Sequence, residues 1–168
     1  MCVRTAFAMA AMIGIAFSAA SASAREVVPF DGRVSPGTVL IKTGERKLYF
    51  VRGDGTALRY RVAVGKPGKQ WFGEAQIDGK YVRPAWSPPA EVKHDNPRLP
   101  DVIPGGAPNN PMGARALTLS LDEYAIHGTN RPSSIGTYAS YGCIRMLNED
   151  IVHLYDQVSV GTRVVVVP

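Results

Sequence analysis

At 168 residues the chain is long enough for one domain with a sizeable core. Its 45% hydrophobic, 8% aromatic and 20% charged residues make an ordinary globular composition and exclude disorder of the whole chain. The formal charge of +5 comes without a Lys/Arg block or a basic run interleaved with aromatics, so nucleic acid is not an expected partner.

Residues 1–24 read as a secretory signal rather than as fold. Arg4 supplies a positive n-region, Ala6–Phe17 is an apolar run of 12 residues, and Ala22-Ser23-Ala24 fits the small-x-small cleavage rule. That run is short of the ~20 apolar residues a membrane span needs. No other segment is long and apolar enough, so no membrane span is expected after cleavage, and the mature chain is expected to start at Arg25. Cleavage removes one basic residue, Arg4, and no acidic one, which lowers the formal charge from +5 to +4. It also removes Cys2 and leaves Cys143 as the single thiol. A lone Cys in an exported protein forms no internal disulfide. It is an intermolecular partner, an inert buried residue or a nucleophile.

Residues 25–37 carry Pro29, Asp31-Gly32, Pro36 and Gly37 and read as a lead-in without its own core. Thr38–Lys42 and Lys47–Arg52, separated by Thr43-Gly44-Glu45-Arg46, predict a hairpin. Ala57–Val64 alternates apolar and basic residues, as a half-buried strand does. Gly65–Gly73 is a loop holding Trp71-Phe72. Glu74–Val82 is β-rich but interrupted by Asp78-Gly79, a strong signal for a tight hairpin. Residues 84–111 hold eight of the 13 prolines and predict a long irregular region. Such a stretch is either a flap or binding wall, or a plain surface excursion. Trp86 within it either lines a cleft or anchors the loop.

Ala116–Leu121 and Tyr124–Ile126 read as strands leading into His127. Asn148 reads as a helix N-cap, with Glu149 and Asp150 placed to complement the helix dipole. Ile151, Leu154, Tyr155 and Val158 then fall at i, i+3, i+4 and i+7, a core-facing stripe over about 148–158. Gly161 ends that element and Thr162–Val167 predicts a last buried strand. The fold class expected is mainly β with one core-facing helix, in a single domain over 38–168.

The chemistry gathers between His127 and Asn148, HGTNRPSSIGTYASYGCIRMLN. Cys143 with a distant His is the pair that thiolate acyl transfer requires. Taken alone, either residue is more often structural, and each gains weight from the other. His94 and His153 are poorer partners, one in the irregular region and one on the helix. No acidic third member is evident, and a backbone carbonyl can fix the imidazole tautomer instead. Gly142 lets a carbonyl substrate approach the backbone, where the N–H groups of Gly142 and Cys143 can face a developing oxyanion. Arg145 either grips a substrate carboxylate or pairs with Asp150 or Glu149. Ser140 either bonds the thiol, the imidazole or the substrate, or caps the turn. No metal or cofactor is expected. One thiol and three scattered His give no paired-ligand spacing, and the phosphate-loop, dinucleotide and G-x-S-x-G patterns are absent.

The residues His127-Gly128-Thr129-Asn130, Ser140-x-Gly142-Cys143-Ile144-Arg145-Met146 and Asn148-x-Asp150 resemble the signature of the L,D-transpeptidase (YkuD-type) catalytic domain. The resemblance extends through Pro104-Gly105-Gly106, Asn110-Pro111, Gly113–Leu117, Trp86–Pro89 and Lys47–Val51, from about Thr38 to Pro168. It implies a β-sandwich of the L,D-transpeptidase type, with the site in a cleft walled by a flap. It also implies an exported periplasmic or cell-envelope enzyme acting on peptidoglycan stem peptides as donor and acceptor. By this resemblance Cys143 attacks the carbonyl of the third stem residue and D-alanine leaves. An amine of another stem, or of an envelope protein, then takes the acyl group; water in that place gives an L,D-carboxypeptidase. A non-catalytic wall-binding module is the reading from another class, and the presence of both Cys143 and His127 speaks against it. The resemblance gives His127 the role of general base and acid. It gives the Gly128 carbonyl the orienting role, the backbone at Tyr141, Gly142 and Cys143 the oxyanion hole, and Arg145, with Ser140 nearby, the substrate side. Tyr141 stands where many members have a second His, so a second imidazole has no counterpart here.

Overall fold

The computed structural model describes residues 25–31, 33–121 and 123–168. The expected signal segment lies outside the described residues. Among these residues eleven strands and two α-helices follow one another: β1 Arg25–Pro29, β2 Val39–Lys42, β3 Lys47–Val51, β4 Thr56–Arg61, β5 Val64–Gly65, β6 Gly73–Val82, α1 Ala90–Asp95, β7 Arg115–Leu119, β8 Ala125–His127, β9 Tyr138–Ser140, β10 Ile144–Arg145, α2 Asn148–Gln157 and β11 Arg163–Val167.

Nine strands form one curled sheet in the order β1-β4-β3-β2-β11-β6-β7-β8-β10, and β5 pairs with β9 separately. The curl comes from β6. Its first half pairs with β11 and its second half with β7, and the register slips between Ile77 and Gly79. The Asp78-Gly79 pair therefore makes no hairpin. It supplies a bulge that bends one ten-residue strand from one half of the sheet into the other. Thr118 Oγ1 donates to the Asp78 carboxylate at this corner. A side chain on Gly79 would run into Thr118 and Tyr81.

The two halves enclose a single core. Val39, Ile41, Leu48, Tyr60 and Val164 come from one half, and Ile77, Leu117, Ile126 and Ile144 from the other. Helix α2 closes it with Ile151 and Leu154, followed by Val158, as the apolar stripe predicts. Burying each such side chain contributes about 1.5–3 kcal/mol.

The lead-in, read as having no core of its own, contributes β1 as the edge strand of the sheet, antiparallel to β4. Val28, Phe30 and Val34 pack with Leu40, Tyr49 and Ala57 on a second, smaller cluster. The 84–111 region is not wholly irregular. It contains α1, and the paired bonds between Trp86 and Ile103 (2.9 and 2.8 Å) close it into a loop. Asn110 Nδ2 pins the loop's base by donating to the carbonyls of Pro84, Ile103 and Pro104. The six residues of α1 bury none of their side chains, so no periodic apolar signal announces them.

Candidate active site

Strands β8 and β10 build the site. They run parallel, with Ile144 opposite Ile126 and Arg145 opposite His127. Side chains alternate along a strand. Ile126 and Ile144 point into the core, so Cys143, Arg145 and His127 share the other face. That face lines a cavity of about 460 Å3. The far wall is the 84–111 loop, through Trp86, Val92, Asp95, Leu99, Ile103 and Pro111. Trp86 thus both anchors the loop and lines the cleft. The sequence-predicted Cys, His and Arg come together, as do Tyr141 and Ser140. Gly142 and Gly128 lie in the adjoining backbone.

His127 is buried, and burial together with the Arg145 charge brings its pKa down to about 4. The backbone carbonyls of Gly128 and Pro111 face the ring and favour its charged form. Neither closes a well-formed hydrogen bond with Nδ1, which is buried without a partner.

Burial raises the Cys143 thiol, while the Ala125 backbone N–H and the Arg145 charge oppose that rise. The Sγ–H faces the carbonyl of Glu123 at 3.6 Å. At neutral pH the Cys143 thiol and the His127 imidazole, which line one cavity, are therefore both neutral. This differs from a preformed thiolate–imidazolium pair. The imidazole is in the state that accepts a proton when the sulfur attacks.

The turn before Cys143 is fixed by Ser140. Its buried hydroxyl donates to the carbonyl of Cys143 (2.5 Å) and accepts from Gly142 N–H (3.1 Å). Of the two readings of Ser140, the turn cap is the one observed. The N–H of Gly142, expected to face an oxyanion, is engaged by Ser140. The N–H of Cys143 has no hydrogen-bond partner among the described residues.

Arg145 forms no ion pair with Glu149 or Asp150 among the described residues. Its half-buried guanidinium remains available to an anion in the cavity. Arg131 lines the same cavity.

Asn148 is the first residue of α2 and not its N-cap, which is Leu147. Its Oδ1 accepts from Ala114 N–H (3.0 Å) and Thr129 N–H (3.1 Å), and its Nδ2 donates to Thr129 C=O (3.0 Å). One side chain thus ties the strand leaving His127, the entry to β7 and the start of α2. It occupies the space that Cβ atoms on Gly113 and Gly128 would take.

Sequence reasoning missed the contact that Tyr141 makes with Asp95, and it missed the residue Trp71. Tyr141 donates from its hydroxyl to Asp95 of α1 (2.5 Å), and Lys66 Nζ lies over its ring at 3.6 Å. This joins the Cys143 turn to the far wall. Trp71 Nε1 donates to the carbonyl of Gly142 (3.1 Å), and its ring stacks on Tyr124. The aromatic pair in the 65–73 loop was the available signal for the second, but its partner lies 71 positions away.

A family model described as the L,D-transpeptidase catalytic domain matches residues 36–166. The protein named "Probable L,D-transpeptidase YbiS" of Escherichia coli strain K12 is 38% identical over 135 residues. That match covers 75% of this chain and 43% of the relative, so the chain spans less than half of that protein. A solved structure from Brucella melitensis, described as a "Probable carnitine operon oxidoreductase caia", is 42% identical. It covers 85% of this chain and 92% of its own, with a TM-score of 0.57. An L,D-transpeptidase from Mycobacterium smegmatis shares the fold at 16% identity and a TM-score of 0.62, covering 78% of this chain and 58% of that one.

Proposed function

The chain belongs to the L,D-transpeptidase catalytic-domain family, and on that premise we propose that it is a cysteine acyltransferase making 3→3 cross-links in peptidoglycan. The observation that carries this reading is the placement of Cys143 and His127 on one face of β8–β10, inside a cavity with an unpaired guanidinium. Cys143 Sγ attacks the carbonyl carbon of the third stem residue while its proton passes to His127 Nε2. The Cys143 N–H, with the neighbouring backbone at Tyr141, faces the oxyanion. The intermediate collapses, the proton on Nε2 moves to the departing nitrogen, and D-alanine leaves a thioester. An acceptor amine then attacks, His127 takes its proton, and the sulfur is released and reprotonated. Gly128 C=O orients the imidazole, and Arg145 receives a substrate carboxylate. Ser140 acts through the turn and not on substrate.

The segment 1–24 is assigned as an export signal, placing the enzyme in the periplasm or cell envelope. No helix among the described residues is long and apolar enough to cross a membrane. The name of the Brucella relative points to redox chemistry for that protein; the thiol–imidazole geometry here favours acyl transfer.

Incubating the protein with tetrapeptide muropeptides and resolving products by mass spectrometry tests the reading. Cross-linked dimers are expected. Tripeptides alone make it an L,D-carboxypeptidase, acyl transfer only to an added envelope protein makes it a tethering enzyme, and no turnover leaves a binding module.

A further inference from the structure

We infer that Trp71 is a positioning residue for acyl transfer: its indole N–H holds the Gly142 carbonyl so that the Cys143 N–H is directed to the substrate oxygen. The inference rests on the acyl-transfer reading of Cys143 and adds a residue to it.

A trans peptide is planar, and its C=O and N–H point in opposite directions. Gly142 C=O and Cys143 N–H belong to one such unit, so fixing the first fixes the second. Trp71 Nε1 takes that carbonyl at 3.1 Å. The indole packs against the hydrophobic core and is not among the residues lining the cavity, although Tyr124, on which it stacks, is; in this proposal the carbonyl is thereby held off the substrate side. The N–H of Cys143 is directed to the other side, where Cys143 and Tyr141 line the cavity.

The surroundings allow little else. The Trp71 ring stacks on Tyr124 with centroids 5.4 Å apart and planes 5° apart, which fixes the direction of its N–H. Tyr124 in turn lies against the α-carbon of Gly142, where φ is +126° and any Cβ would enter the Tyr124 ring. The other end of the turn is closed by Ser140, which takes the Gly142 N–H and the Cys143 carbonyl. Each backbone group from Gly142 N–H to Cys143 C=O is thereby assigned, and the Cys143 N–H is the one without a partner among the described residues. A preorganised donor of this kind is worth about 10²–10³ in rate when removed outright. Losing only its alignment is expected to cost less.

The test compares the wild-type chain with Trp71→Phe, which keeps an aromatic ring on Tyr124 and removes the donor. Two rates at Cys143 are measured by intact-protein mass spectrometry: acylation by imipenem and alkylation by iodoacetamide. Acylation develops an oxyanion, whereas alkylation is a displacement at a saturated carbon and develops none. The expected result is acylation slowed about 10- to 100-fold with alkylation within about threefold of wild type. Equal acylation rates overturn the inference. So does a matching loss in both rates, which marks general damage to the thiol's surroundings. If Trp71→Phe fails to fold, benzothienylalanine incorporated at position 71 alone, an isostere of Trp without the N–H, serves the same comparison. A wild-type chain that imipenem does not acylate at Cys143 overturns the acyl-transfer reading itself, and the two failures are thus distinct.

Discussion

Arg145 stands directly opposite His127 across the parallel β8–β10 pair, and its charge helps to hold that imidazole neutral. With the pKa down at about 4, His127 is available as a base throughout the mildly acidic range. The acid limb of the pH–rate profile for Cys143 acylation is therefore expected near pH 4. A limb near 6.5, the ordinary imidazole value, would contradict the buried neutral state. His127→Gln is expected to slow acylation about 10²- to 10⁴-fold at pH 7, the usual range for a general base.

The Tyr141 hydroxyl links the nucleophile turn to α1 through Asp95, and Lys66 supports both partners. These groups lie at the surface, so the bond adds little to global stability. Its effect is local. Tyr141→Phe is expected to leave the melting temperature within about 3 °C and to raise amide exchange across Ala90–Asp95 and the residues up to Leu99. Unchanged exchange in that wall would remove the link between Tyr141 and α1.

Asn148 replaces a conventional cap with a three-way tie. Asn148→Ala leaves Thr129 N–H and C=O and Ala114 N–H without these partners. At about 0.5–1.5 kcal/mol for each bond, an overall loss of about 1–3 kcal/mol is expected in denaturant unfolding, since part of the site reaches solvent. A loss below 0.5 kcal/mol would mean that the tie is replaced by water. Because Thr129 follows His127 and Gly128, acylation is expected to slow as well.

What the sequence made legible was the chemistry of local runs. The alternation in Ala57–Val64 reports a packing face, although the one strand expected there divides into β4, which ends at Arg61, and β5, which starts at Val64. The β-rich runs of β2, β3 and β11 and the i, i+3, i+4, i+7 stripe of α2 likewise report a packing face through neighbours a few positions away. The placing of Cys143 and His127 on one cavity was also accessible, because a lone thiol in a chain expected to be exported limits the alternatives. What was hidden depends on distant partners. Asp78-Gly79 has the composition of a turn, but β11 and β7 hold both its flanks and turn it into a bulge. Strands β5, β9 and β10 are two or three residues long and exist only through each other and β8. Asn148 has the right residue type for a cap, yet Gly113 and Gly128 open a space that draws its side chain elsewhere. The engagement of Gly142 N–H by Ser140 needs the turn's geometry, which no spacing rule contains.

Two buried titrating groups give the pH dependence of stability opposite signs. His127 has a lowered pKa, so between about 6.5 and 4 the unfolded chain binds its proton and the folded chain does not. Stability is lost as pH falls through that window. Asp150 behaves in reverse. Burial, with the Glu149 charge adding to it, raises its carboxyl to about 6 against an ordinary 3.8, and Arg25 opposes the rise. Its Oδ2 is buried without a hydrogen bond. Between about 6 and 3.8 the folded chain binds the proton more tightly, so this group adds stability as pH falls and that contribution is lost as pH rises through 6. In wild type the two slopes partly cancel. Asp150→Asn removes one, and its unfolding midpoint relative to wild type is expected to fall steadily from pH 7 to pH 4. His127→Gln removes the other, and its midpoint relative to wild type is expected to rise over the same range. Denaturant titrations at half-unit pH steps read both. A difference that stays constant with pH in either variant shows that the group titrates alike in the folded and unfolded chains, and removes it from the account.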